Sequence, residues 1–316
     1  MALLAAGFAA GWVRLPYYSD GPGPPRDVAS LIRFEDRTRY DSAGSLVITT
    51  VQIRQLTPFD AVLTGLDPAR RILSQSEVYG GVPIEQESVL AASDIDQSKI
   101  AAVTLVLERL TGYPQEHGPG ALVASVVPGC PAQGRLSPGD VVVAVDGRPV
   151  TSVRSAKRRL DEAADRLTVR VTNGGERADV ELERHACLPD RDRQVLGIEL
   201  VEPFPFELSI SSGGVGGPSA GLMYALGLYD LLTPGDLTGG RTIAGTGEIF
   251  TDGTVGPIGS IDEKVISAQR AGADVFLVPR ANIEELDDVD LGDMHLVPVD
   301  TFDGTLRVLE QGSTGP

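Results

Sequence analysis

Residues 212–232 read SGGVGGPSAGLMYALGLYDLL. A glycine-rich loop runs through Pro218 into Ser219, and an apolar stretch follows that is too uniform to keep a solvent face. The pattern predicts a helix over residues 219–232, buried and central to the fold. Proline suits a first helical turn. A helix start presents unpaired backbone N–H groups and a partial positive charge, so a serine there has donors for an oxyanion beside it. Gly216, Gly217, Pro218 and Ala220 make up the surrounding loop, and its glycines let another backbone come close. The same features serve as plain architecture, or hold a phosphate. A Walker loop needs Gly-Lys-Ser/Thr after its glycines, and that triplet occurs nowhere in the sequence.

Residues 245–282 form the second informative stretch, GTGEIFTDGTVGPIGSIDEKVISAQRAGADVFLVPRAN. Lys264 opens a helix after a Gly/Pro-rich turn and has Val255, Pro257, Ile258, Ile261, Val265 and Ile266 as sequence neighbours. A free lysine titrates near about 10.4 and is a poor base at neutral pH. Burial that brings it to about 7–8 lets it take a proton from a serine. Holding a lysine there costs about 4 kcal/mol, at about 1.36 kcal/mol per pH unit, so it needs a built environment. For this stretch alone, a surface lysine paired with Asp262 or Glu263 is the simpler reading.

Around these two stretches, strand-like runs at 196–201, 206–210, 241–249, 274–279 and 294–299 alternate with helical ones. This marks residues 195–316 as an α/β domain. Residues 118–186 read strand, Pro/Gly turn, strand, Asp146-Gly147 hairpin, helix, and a last hairpin turning at Asn173-Gly174. Residues 28–117 open with alternating strands such as Ser45–Val51 and continue into a helix whose Ile100, Val103, Leu107 and Leu110 share one face. The expected class is α+β: a strand-rich N-terminal segment, a β-sandwich or barrel with one helix, and a C-terminal α/β domain.

The bulk numbers narrow the functions. The 316 residues include 27 basic and 44 acidic side chains, for a net charge of −17. Such a chain repels phosphate backbones, so no nucleic-acid partner is expected. The basic run Arg154, Lys157, Arg158, Arg159 reads as a solvated helix face. Cys130 and Cys187 offer no zinc spacing, and whether they pair is open. No metal or cofactor is expected. His117, His185 and His295 are the only histidines, and none lies in a motif. Residues 2–13 are small or apolar but too few to span a bilayer. Followed by YYSDGPGPPRD (17–27), they are read as the end of a truncated membrane anchor and a juxtamembrane linker, together 1–27.

Two resemblances sharpen this reading. Pro128, Pro131-Ala132, Gly134, Leu136, Gly139-Asp140 and Val145-Asp146-Gly147 match the pattern of bacterial PDZ domains, with Cys130 where serine or glycine is usual. PDZ domains bind peptides by adding a strand to a sheet edge, although no carboxylate-binding loop stands out here. GVGGPSAG together with TGEIFTDGTVGPIGSIDEK resembles the serine and lysine segments of the Lon proteolytic domain, over about 120 residues from Val195 on. Val215-Gly216 replaces an acid-containing pair, and Ser260 replaces a glycine. The resemblance implies a serine endopeptidase with Ser219 as nucleophile, Lys264 as base, 45 residues further on, and Thr246 orienting the lysine.

The whole arrangement is similar to the membrane-associated, PDZ-containing Lon-like peptidases of Gram-positive bacteria, which lack an ATPase module. It implies protein or peptide substrates, no ATP requirement, a homo-oligomeric ring, and a place in the cell membrane through one N-terminal anchor with the catalytic part extracytoplasmic. Two alternatives stand beside it. One is a small-molecule kinase of the GHMP type, whose loop is similar to GGVGGPSAG. The other is a catalytically silent PDZ scaffold.

Overall fold

The computed structural model describes residues 13–80, 83–187 and 194–313. Its first elements are β1 (Tyr17–Asp20), β2 (Arg26–Asp27), β3 (Ile32–Phe34), β4 (Ser45–Ile48), β5 (Arg54–Gln55), α1 (Pro58–Gly65), β6 (Arg71–Ser74), α2 (Gln75–Tyr79) and α3 (Ile84–Leu110). β1 is the middle strand of an antiparallel sheet ordered β5-β1-β6. Tyr18 lies opposite Gln55 on one side and Leu73 on the other. α1 starts where its sequence says it should: Thr57 and Asp60 form a reciprocal capping box around Pro58.

This sheet corrects the reading of the N-terminus. Residues 1–12, the core of the expected anchor, lie outside the described residues. The supposed linker is structural: Tyr18, Ser19 and Asp20 are 4, 2 and 3% exposed. Its glycines serve close packing, since a Cβ on Gly23 would stand 2.3 Å from Thr50 Oγ1. Among the described residues no helix is long and apolar enough to cross a membrane. The longest, α3, has 27 residues and carries Asp94, Asp96, Lys99, Glu108 and Arg109 along its length. The expected placement in the membrane through an N-terminal anchor, with the catalytic part extracytoplasmic, is therefore withdrawn.

The next unit contains β7 (Ala121–Val126), β8 (Val141–Val145), β9 (Arg148–Pro149), α4 (Val153–Glu162), β10 (Arg166–Asn173), β11 (Glu176–Glu183), β12 (His185–Ala186), β13 (Gln194–Val195) and β14 (Ile198–Val201). Its sheet runs β11-β10-β8-β7-β14. The tight turn after β8 uses Asp146 at φ 47° and Gly147 at φ 73°, the left-handed pair a twisted hairpin requires. The β10–β11 turn uses Gly174-Gly175, one residue later than expected, because Asn173 still pairs with Glu176. Val123, Val142, Leu167 and Val169 fill a core of this unit's own. Cys130 and Cys187 form a disulfide, with Cα atoms 5.4 Å apart. LGIELV (196–201), expected in the C-terminal α/β domain, supplies β14 as the edge strand here, with Ile198 opposite Val126 and Val201 opposite Leu122.

The chain then returns through β15 (Leu208–Ile210), a 3₁₀ turn (Pro218–Ala220), α5 (Gly221–Leu232), β16 (Thr242–Gly245), β17 (Glu248–Ile249), β18 (Val255–Gly256), α6 (Ile261–Arg270), β19 (Val275–Pro279), a second 3₁₀ turn (Arg280–Leu286), β20 (His295–Val299) and α7 (Phe302–Ser313). The central sheet runs β2-β4-β16-β19-β20. All its pairings are parallel except β2 with β4. α3, α5 and α7 cover one face, and α6 covers the other. The N-terminal strands therefore share a core with the C-terminal elements: Val28, Ile32 and Ile48 pack with Leu222, Leu226 and Ile243. α5 is buried on nearly every side, as its uniform apolar run predicts.

Candidate active site

Ser219 lies in the 3₁₀ turn that leads into α5, so the α-helix itself begins two residues later than its sequence pattern suggests. Proline at the first position and glycine before it fix this entry: Gly217 sits at φ 80°, a conformation side chains disfavour. α3 braces the loop at two points. The Gly217 N–H donates to the Ala91 carbonyl at 2.9 Å. The Ser98 hydroxyl donates to the Pro218 carbonyl at 2.8 Å. The Gly217 N–H is thus taken, and Pro218 has none. The backbone N–H groups of Ser219 and Ala220 are at the helix start, where intrahelical acceptors run out. Gly221 cannot be larger, because a Cβ there would stand 2.4 Å from Ser98 Oγ and 2.6 Å from Ile249 Cγ2.

The serine loop is tied to the link between β16 and β17, which carries Thr246. The Gly247 N–H donates to the Ser219 carbonyl at 2.8 Å, and the Leu222 N–H donates to the Gly247 carbonyl at 3.0 Å. The Thr246 hydroxyl also donates to the Ser219 carbonyl, at 3.0 Å. On its other side it accepts from Lys264 Nζ at 3.2 Å. Ser219, Thr246 and Lys264 are therefore joined through one hydroxyl. Among the described residues, the Ser219 side chain makes no direct hydrogen bond to Lys264; such contacts are often loose in free enzymes.

The environment suits a neutral amine. Lys264 is 5% exposed and Thr246 1%. Burial pushes the Lys264 amine down to about 8, against the opposing pull of the Glu263 charge. Its place in the first turn of α6, at the positive end of the helix dipole, acts in the same direction. The surface ion pair with Asp262 or Glu263 is not formed: among the described residues Lys264 has no salt bridge, and Glu263 pairs with Arg71 of β6 at 2.5 Å. A neutral amine that donates one N–H to Thr246 keeps its lone pair free to accept a proton.

Sequence reasoning missed three groups at this site. Ala91 and Ser98, which hold the loop, look like ordinary positions on an amphipathic helix. Arg71 lies on a strand of the N-terminal sheet, β6, far from either motif in sequence. No local pattern announces any of them.

Residues 208–311 match the family of the Lon protease (S16) C-terminal proteolytic domain, and residues 102–183 match the PDZ domain family. One stretch of the chain is thus similar to the proteolytic domain of Lon proteases and another to a PDZ domain. The Lon protease of Chloroflexus aurantiacus is 40% identical over 124 residues, which is 36% of this chain and 14% of that protein. The Lon protease of Desulforamulus reducens is 31% identical over 199 residues, 60% of this chain and 22% of that protein. The chain thus spans only 14% and 22% of the length of these two relatives. A solved PDZ domain of an SdrC-like protein from Listeria innocua is 21% identical, covering 26% of this chain and 92% of that one, with a TM-score of 0.23.

Proposed function

We propose that the chain hydrolyses internal peptide bonds of protein substrates through a Ser219–Lys264 dyad, without ATP. The observation that carries this is the buried Lys264 amine, 3.2 Å from a Thr246 hydroxyl that itself holds the Ser219 backbone. Neutral Lys264 takes the Ser219 proton as Ser219 attacks the carbonyl carbon. The N–H groups of Ser219 and Ala220, with Gly216 in the approach to them, stabilise the oxyanion. Lys264 then gives its proton to the leaving amine, and water releases the acyl group from Ser219 by the reverse sequence. Thr246 orients the amine by occupying one of its N–H groups, as the third member of a triad does. ATP independence is supported by the lack of any Gly-Lys-Ser/Thr triplet in these residues.

Two structural proposals accompany this reading. The proteolytic body combines residues 26–113 with 203–313, and the PDZ unit is inserted between them. The edge strand β14, whose Ile198 and Leu200 pack against the same core as Val153 and Leu160 of α4, is the surface on which the PDZ unit receives a substrate segment. The ring implied by the resemblance belongs to the same reading. It is supported by the stripe Phe59, Val62, Leu63 and Leu66 on and just after α1, 51–77% exposed.

The test incubates the unchanged chain, Ser219→Ala and Lys264→Ala with an unfolded protein, with and without Mg-ATP, and reads the products by mass spectrometry. Cleavage by the unchanged form alone, equal in both conditions, is expected. Cleavage that persists in Ser219→Ala, or that needs ATP, contradicts the reading.

A further inference from the structure

The residue before the base is a buried acid whose partner comes from β6 of the N-terminal sheet. Glu263 is 3% exposed. One of its carboxylate oxygens meets Arg71 Nη2 at 2.5 Å, and the other is buried with no hydrogen-bond partner. The same Arg71 Nη2 lies 3.1 Å from Asp20 Oδ2 on β1, and Asp20 Oδ1 is likewise buried and unpartnered. Arg71 Nη1 stands 3.8 Å from Asp262. Three carboxylates from two elements thus converge on a single guanidinium carried by the N-terminal sheet.

Burial and the adjacent Asp262 push the Glu263 carboxyl up to about 7, so it is charged where Lys264 titrates, and the consequence for Lys264 follows from charge balance. A buried carboxylate that lacks a counter-ion takes the nearest cation or a proton. Among the described residues, Glu263 is the one charged group that acts on the Lys264 amine, and Thr246 faces it as a neutral partner. Among the described residues Arg71 is the one cation that Glu263 pairs with; without it, the adjacent Lys264, on whose amine the Glu263 charge already acts, is left to balance the carboxylate, and a lysine held as a counter-ion stays protonated and cannot serve as a base.

We propose that Arg71 is a positioning residue for the reaction: it acts as counter-ion to the buried Glu263 carboxylate, so that the adjacent Lys264 need not, and the amine is left free to lose its proton. This inference rests on the reading of Lys264 as the base. It also gives the β5-β1-β6 sheet a role in catalysis.

The chain has three lysines, Lys99, Lys157 and Lys264, so side-chain titration can be followed one residue at a time. The full chain is labelled with ¹³C at lysine Cε, and the Lys264 signal is assigned by its loss in Lys264→Arg. Its midpoint is then read by NMR from pH 6 to about 11, a range that brackets buried and free lysines. The midpoint is expected near 8 in the unchanged chain. It should rise by about one pH unit or more in Arg71→Met, and return toward the original value in Arg71→Lys and in the double variant Arg71→Met/Glu263→Gln. A folded Arg71→Met with an unmoved or lowered midpoint overturns the proposal. If Arg71→Met does not fold, Glu263→Gln carries the test: its Lys264 midpoint should fall, and an unchanged one overturns the proposal. The readout needs no substrate. The expected shifts without cleavage by any form would count against the peptidase reading while supporting the counter-ion role.

Discussion

Lys264 Nζ lies 3.2 Å from Thr246 Oγ1, and that hydroxyl passes the connection on to the Ser219 carbonyl at 3.0 Å. One oxygen therefore fixes the direction of the amine and the path of the serine backbone. Thr246→Val removes both hydrogen bonds at nearly constant volume. A hydrogen bond to an ionisable group contributes about 1.5–3 kcal/mol, so kcat should fall about 10–100-fold. Thr246→Ser should recover most of it. Steady-state kinetics on an unfolded substrate checks both, with circular dichroism to confirm the fold.

Peptide cleavage should rise as pH increases through about 8, because burial holds the Lys264 amine at that value and its neutral form is the base. A kcat profile flat from pH 6 to 9 would remove Lys264 from that role, since a titrating base must leave a limb in this range.

The same burial has a cost in stability. Lys264 titrates at about 8 in the folded chain against an ordinary 10.5. Between those values the unfolded chain binds more protons, so stability should climb with pH across that window and level off above it. Lys264→Met should lack the climb and be more stable by roughly 3 kcal/mol below pH 8, at about 1.36 kcal/mol per unit. Urea titrations of both forms at pH 7 and 10 measure this.

Gly221→Ala should damage both stability and turnover. The added methyl meets Ser98 Oγ and Ile249 Cγ2 at 2.4 and 2.6 Å, so Ser98 of α3, which braces the serine loop, and β17 must give way. Overpacking of this kind costs about 1–3 kcal/mol. The variant Ser98→Ala, which only releases the Pro218 carbonyl, should lose about 1 kcal/mol. Thermal melts with parallel activity assays separate the two.

Reduction of Cys130–Cys187, which closes a separation of 57 residues, should destabilise the PDZ unit by about 2–4 kcal/mol. The core around α5 and the central sheet and the core around β7, β8 and β10 share no buried residue. Differential scanning calorimetry with and without reductant should show an earlier transition moving and a later one unchanged.

Both candidate motifs were legible because their signals are local. Glycines, a proline and a uniform apolar run define the Ser219 turn over a dozen residues, and the Lys264 turn is marked in the same way. What escaped is long-range. The Ser98–Pro218 bond joins residues 120 apart, and a serine on a mixed helix gives no hint of it. LGIELV has the alternation of a strand, but alternation does not say which neighbour it pairs with, and here the neighbour is β7 of the PDZ sheet. YYSDGPGPPRD has the composition of a linker for a reason that composition cannot show: Gly21 and Gly23 are small because Arg70 and Thr50 press against them.

The most direct test of the central claim is to trap the acyl-enzyme. The chain is mixed with an activated peptide ester, quenched in acid within seconds, digested and mapped by mass spectrometry. The account predicts one acyl adduct, on Ser219, strongly reduced in Lys264→Ala. An adduct on another residue, or one that forms equally well without Lys264, would contradict it.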